Sequence, residues 1–88
     1  MDNQNNEVTA TFISHYGAML TKKKLGNRCT LRPVPRILSS SCGTCAVVSG
    51  GSAEELEASA GEYLEAVYVL SEEGYRKIYE HGSTDKLG

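Results

Sequence analysis

Thr44-Cys45-Ala46-Val47-Val48-Ser49-Gly50-Gly51-Ser52-Ala53-Glu54-Glu55 is the stretch whose reading decides the fold. Its first five residues form a short, largely apolar run, which predicts a strand in the middle of a sheet rather than a helix. Gly50-Gly51 closes that strand. Ser52-Ala53-Glu54-Glu55 is a capping-box signature, in which the serine hydroxyl and the Glu55 carboxylate satisfy each other's backbone amides at a helix start. The helix is expected to end near Gly61, with Ala53, Leu56 and Ala60 facing inward.

Upstream of this stretch, Val8 to Ile13 is rich in β-branched and aromatic residues, a first strand that ends at Ser14. Ser14 caps a helix to about Leu25, with Ala18, Met19, the Lys22 stem and Leu25 on its inner stripe, and Gly26-Asn27 stops it. Arg28 to Arg32 alternates, placing Cys29 and Leu31 on one face of a second strand. Pro33 and Pro35 end it, since proline cannot donate to the ladder, so Pro33 to Ser41 reads as an ordered loop leading to Cys42. Downstream, Leu64 to Leu70 is a fourth strand. Ser71 then caps a last helix, with Leu70 and Tyr75 spaced as a hydrophobic staple, Tyr75, Ile78 and Tyr79 as its buried stripe, and His81-Gly82 as its end. The element order defines an α+β fold, a ferredoxin-like βαββαβ sandwich with an extra C-terminal helix. Residues 1–7 are expected to be a disordered extension, 8–81 the domain and 82–88 a flexible tail.

The 88 residues fill one small domain. A net charge of −2 conceals a segregation along the chain. Between Val8 and Ala53 there is no acid, only Lys22, Lys23, Lys24, Arg28, Arg32 and Arg36; from Glu54 onward nine acids oppose three bases. All three cysteines, Cys29, Cys42 and Cys45, lie in the basic segment. The lysine run lacks interleaved aromatics and reads as a solvated helix face, so no nucleic-acid partner is expected. No apolar run has the roughly 20 residues of a membrane span, and the N-terminus lacks a signal-peptide pattern, so the expected setting is cytoplasmic, without a membrane partner. Thiols are normally kept reduced there, and a close cysteine pair points to sulfur, redox or metal chemistry.

Arg32-Pro33-Val34-Pro35-Arg36 and Ser39-Ser40-Ser41-Cys42-Gly43-Thr44-Cys45 carry that chemistry. A cysteine acts as its thiolate, favoured by neighbouring cations and hydrogen-bond donors. Arg36, Arg32, Ser41 and Gly43 are the candidate stabilisers of the anion, with Gly43 allowing close approach and unusual dihedrals beside the sulfur. Cys42-Gly43-Thr44-Cys45 is formally Cys-x-x-Cys, but a thioredoxin-like pair opens a helix and this one opens a strand. A zinc site would have to draw on Cys29, His15 and His81, and an iron–sulfur cluster commonly takes four cysteines, so neither a metal nor another cofactor is expected. Cys29, alternating with Leu31, reads as core filler; Cys45 reads equally as core filler or as a second thiol. Cys42, among serines and glycine, reads as the functional cysteine.

The combination Pro33-Val34-Pro35-Arg36 with Ser39-Ser40-Ser41-Cys42-Gly43 resembles the small bacterial selenium/sulfur carrier-like family, over Val8 to about Tyr79. The resemblance implies a ferredoxin-like domain that carries a persulfide or selenium atom, with Cys42 at the motif cysteine. Cys45 falls on a strand position that commonly holds a small residue. A carrier rather than a turnover enzyme follows: a cysteine desulfurase or a selenium-delivery protein as donor, Cys42 as bearer, Cys45 releasing the atom by disulfide formation, and a separate acceptor protein. Two other classes stay open at this point. One is a regulatory module in which the basic segment holds a small anion or the sheet mediates a homodimer; the other is a thiol redox protein using the Cys42–Cys45 pair.

Overall fold

The computed structural model describes residues 7–38 and 40–81. Ser39 of the serine run, the expected extension at residues 1–6 and the expected tail at 82–88, including Gly82, lie outside the described residues. The chain runs β1 (Val8–Phe12), α1 (His15–Leu25), β2 (Cys29–Pro33), β3 (Thr44–Val48), α2 (Ala53–Ala60), β4 (Leu64–Ser71) and β5 (Gly74–Glu80). Single 3-10 turns at Gly26–Arg28 and Gly61–Tyr63 follow the two helices. The five strands form one antiparallel sheet in the order β2-β3-β1-β4-β5, an α+β architecture with β3 inside the sheet as its apolar sequence requires.

Strand alternation builds the core. Val8, Ala10 and Phe12 of β1, Cys29 of β2, Ala46 and Val48 of β3, and Leu64 and Val67 of β4 meet Ala18 of α1 and Leu56 and Ala60 of α2. The alternate positions Thr9, Thr11, Cys45 and Tyr68 belong to the opposite face and are also buried.

Helix α1 reaches the sheet through Gly17, Ala18 and Thr21, and the Thr21 hydroxyl donates to the Gly17 carbonyl at 2.9 Å. Met19, expected inward, is 55% exposed: it follows Ala18 by one residue, about 100° around the helix. Lys22 ends the helix instead of lining it, its ammonium donating to the carbonyls of Gly26 at 3.2 Å and Cys29 at 2.6 Å. Ser14 holds the N-cap position without a side-chain capping bond. At α2 the capping box is half made. Ser52 accepts the Glu55 amide at 3.2 Å, but the Glu55 carboxylate pairs in two-pronged fashion with Arg28 at 2.7 and 2.8 Å.

The expected C-terminal helix is instead β5. Ser71 does cap a structure there, but it is a tight hairpin: its hydroxyl donates to the Gly74 carbonyl at 3.1 Å and accepts the Glu73 amide at 3.2 Å. Gly74 takes φ +110°, which closes the hairpin and stops a helix from continuing. Leu70 and Tyr75 do lie opposite each other, as cross-strand partners rather than as a staple. Tyr75 and Tyr79 have the spacing of a helical stripe, but the register shift in the β4–β5 ladder at the exposed Ile78 puts them on opposite faces of the sheet, Tyr79 against the core and Tyr75 against Tyr68. Tyr75 stands edge-on to Tyr68 with ring centres 6.2 Å apart, a cross-strand aromatic pair that supports the strand state.

Candidate functional site

Residues 34–43 link β2 to β3 across the edge of the sheet. Pro33 is tolerated as the last residue of β2 because that strand is an edge strand, and it pairs with Thr44. The Val34 amide donates to the Gly43 carbonyl at 3.0 Å, closing the loop at its base. The Leu38 amide donates to the Pro35 carbonyl at 3.0 Å, forming a turn that leaves Arg36 and Ile37 exposed.

Cys42 is half-buried, whereas Cys29 and Cys45 are buried; all three thiols are free. The Cys42 amide donates to Ser40 Oγ at 3.2 Å. The Ser40 hydroxyl has one proton and two acceptors in range, Glu65 Oε1 at 2.8 Å and the Phe12 carbonyl at 3.3 Å, so the carboxylate takes it. Ser41 points the same way, with its amide 3.4 Å from Glu65 Oε1 and its hydroxyl 3.2 Å from Oε2. A single carboxylate on β4 therefore holds the serine side of the loop. Sequence reasoning missed Glu65. The available signal is a lone acid between Leu64 and Ala66 in an otherwise apolar strand, where a charge requires partners.

The remaining expected site residues are dispersed. Arg32 is the cross-strand partner of Cys45, and the two line a cleft of about 430 Å³ on the sheet face away from the core, walled by Pro33, Pro35, Val47 and Tyr75. Burial pushes the Cys45 thiol up, with the Arg32 charge opposing it, and its Sγ lies 3.7 Å from the Pro33 carbonyl. Burial likewise pushes the Cys29 thiol up, with Lys22 opposing. Among the described residues neither Arg32 nor Arg36 forms a hydrogen bond or ion pair with Cys42, and no three His, Cys, Asp or Glu side chains converge.

Gly43 has neither property that would demand glycine. Its φ is outside the left-handed region, and an added Cβ meets nothing within 4 Å. Gly43→Ala is therefore expected to leave the thermal midpoint unchanged or raise stability by up to about 1 kcal/mol through the unfolded state. A clear loss in a melting curve would show that the site needs a backbone state not seen here.

The fold and the loop define a small α+β domain that presents one reachable thiol, beside a serine–carboxylate cluster, at the entry to a sheet strand. The chain belongs to the family described as "Putative Se/S carrier protein-like", whose model matches residues 7–80. No curated protein and no solved structure matches it. Among the described residues, no helix is long and apolar enough to cross a membrane.

Proposed function

We propose that the protein is a sulfur or selenium carrier of the reducing cytoplasm, in which Cys42 bears the transferred atom. The observation that carries this reading is that Cys42 alone of the three cysteines is not buried, on a loop rather than in a strand. In the loading step the Cys42 thiolate attacks the outer sulfur of a donor persulfide, as on a cysteine desulfurase. The donor S–S bond breaks, the donor leaves as its thiolate, and a Cys42 persulfide forms. A selenium-delivery protein would load the site by the same displacement. Delivery reverses the roles: an acceptor nucleophile takes the outer atom and Cys42 leaves as thiolate, so no external electron donor is needed. β2-β3-β1-β4 with its two helices serves as a ferredoxin-like core, to which β5 is added.

Arg36, exposed on the same loop, and Arg32 at its base supply positive charge around an incoming persulfide anion. Cys45 contributes only if it leaves the Pro33 carbonyl and loses its proton. It would then attack the Cys42 sulfur, form the Cys42–Cys45 disulfide and release the outer atom as hydrosulfide or hydroselenide.

The test is intact mass after incubation with a cysteine desulfurase and cysteine. Wild type and Cys45→Ser are expected to gain one sulfur that a reductant removes, and Cys42→Ser none. An adduct of equal yield on Cys42→Ser would sink the assignment. If Cys45 performs release, the Cys45→Ser adduct should persist while the wild-type adduct decays to a disulfide.

A further inference from the structure

We infer that Glu65 is the positioning residue of the Cys42 loop, setting the conformation from which the cysteine works. Its value for transfer rests on the carrier reading; its effect on the loop does not. The geometry is a two-link relay. The Cys42 amide donates to Ser40 Oγ, and the Ser40 hydroxyl donates onward to Glu65 Oε1. Ser41 adds two further donors to the same carboxylate. Donors in such a chain polarise one another, and a charged acceptor strengthens each link.

Three features make Glu65 the holder rather than a bystander. It comes from β4, whose neighbouring residues Leu64 and Ala66 are buried, so its backbone is fixed. Its own carbonyl accepts the His81 amide at 2.8 Å, tying that end of β4 to the residue after β5. No cation among the described residues ion-pairs with it, so neutral loop donors are what satisfy the carboxylate. Both serine hydroxyls spend their only proton on Glu65. They therefore present lone pairs, not donors, to the rest of the loop. Serine donation to a sulfur anion on Cys42 would require release from Glu65, which ties loop motion to the chemistry of the carried atom.

The experiment reads the loop without any sulfur donor. In Glu65→Gln, amide exchange at Ser41 and Cys42 should accelerate by about tenfold or more, while amides of β1 and β3 stay at wild-type rates. Cys42 alkylation by iodoacetamide should rise with it. Ser40→Ala/Ser41→Ala, which removes both hydroxyl bonds to Glu65 and the Ser40 acceptor of the Cys42 amide but keeps the Ser41 amide bond, should accelerate Cys42 exchange at least as much. At the Cys42 amide, combining all three substitutions should add nothing beyond the serine pair, because that pair has already cut the link from Cys42 to Glu65. Exchange of the Cys42 amide within about twofold of wild type in Glu65→Gln would overturn the inference, as would additive effects at Cys42 in the combined variant. Should Glu65→Gln fail to fold, Ser41→Ala alone decides, since it removes a bond to Glu65 and leaves the Cys42–Ser40 bond in place. Failure of sulfur loading with these loop effects intact would sink the carrier reading and leave Glu65's role standing.

Discussion

Gly17→Val is expected to destabilise the domain by about 3 kcal/mol or more, a large share of the stability a chain this size has. The reason is space and not backbone strain. A Cβ at Gly17 would lie 2.7 Å from Tyr63 Cβ, 2.9 Å from Phe12 Cδ1 and 3.2 Å from the Tyr63 carbonyl oxygen. None of these atoms is the far end of a flexible chain. Phe12 is fully buried, and the Tyr63 carbonyl is held by the Ile13 amide at 2.8 Å. The Tyr63 ring also stands edge-on to Tyr16 with centres 5.1 Å apart. Helix α1 must therefore move off the Gly61–Tyr63 turn, opening the layer that Ala18 and Thr21 fill. Alanine at the same position recovers up to about 1 kcal/mol of helix propensity, so Gly17→Ala should be milder and Gly17→Val worse. At about 4–8 °C per kcal/mol for a domain of this size, the valine variant should melt at least about 12 °C lower. An unchanged melting temperature would mean that α1 can slide without cost, contrary to its close contact with Tyr63.

What the sequence made legible follows from which signals are local. β1, α1, β2, β3, α2 and β4 each have a period, a breaker or a cap within their own residues, and each appears within a residue or so of its expected bounds. The last element lacked such a signal. Tyr75, Ile78 and Tyr79 satisfy a helical stripe by themselves, and only pairing with β4, through a ladder whose register shifts at Ile78, makes the segment a strand. Ser71 looked like a helix cap because the same hydroxyl geometry serves a hairpin. That Cys42 lies outside the core on a polar loop was legible from its serine and glycine neighbours, as was Cys29 as core filler. Glu65 was not, because its partners Ser40 and Ser41 are 25 and 24 residues away in sequence and are brought to it by the sheet. Arg32 was read as a neighbour of Cys42 from proximity in the chain. The β2–β3 register sets it opposite Cys45.

The second large effect expected is a difference between the thiols. Under native conditions, limiting iodoacetamide should label Cys42 at least about a hundredfold faster than Cys29 or Cys45, giving one adduct by intact mass until the fold opens. Burial is one reason: Cys29 and Cys45 are 0% and 1% exposed, and a buried thiol reacts only from an opened state. Charge is the other. Desolvation pushes both buried thiols up, so each keeps its proton where a solvated thiol loses it. That shift also has a sign for stability. The folded state binds protons that the unfolded chain has released, so the contribution of the two buried thiols is complete below the unfolded thiol value of about 8.5 and is lost as pH rises through the folded values. The denaturant midpoint should therefore fall above about pH 8.5, and fall less steeply in Cys29→Ala and Cys45→Ala, whatever those variants lose in absolute stability. Tyr79, also pushed up by burial and by Glu57, adds to the fall only at the alkaline end, near its usual value of about 10. An adduct on Cys45 forming at the Cys42 rate, located by peptide mass, would show that Cys45 opens as readily as Cys42. The exposure argument for loading at Cys42 would then fail, and the adjacent pair would have to be treated as one redox unit.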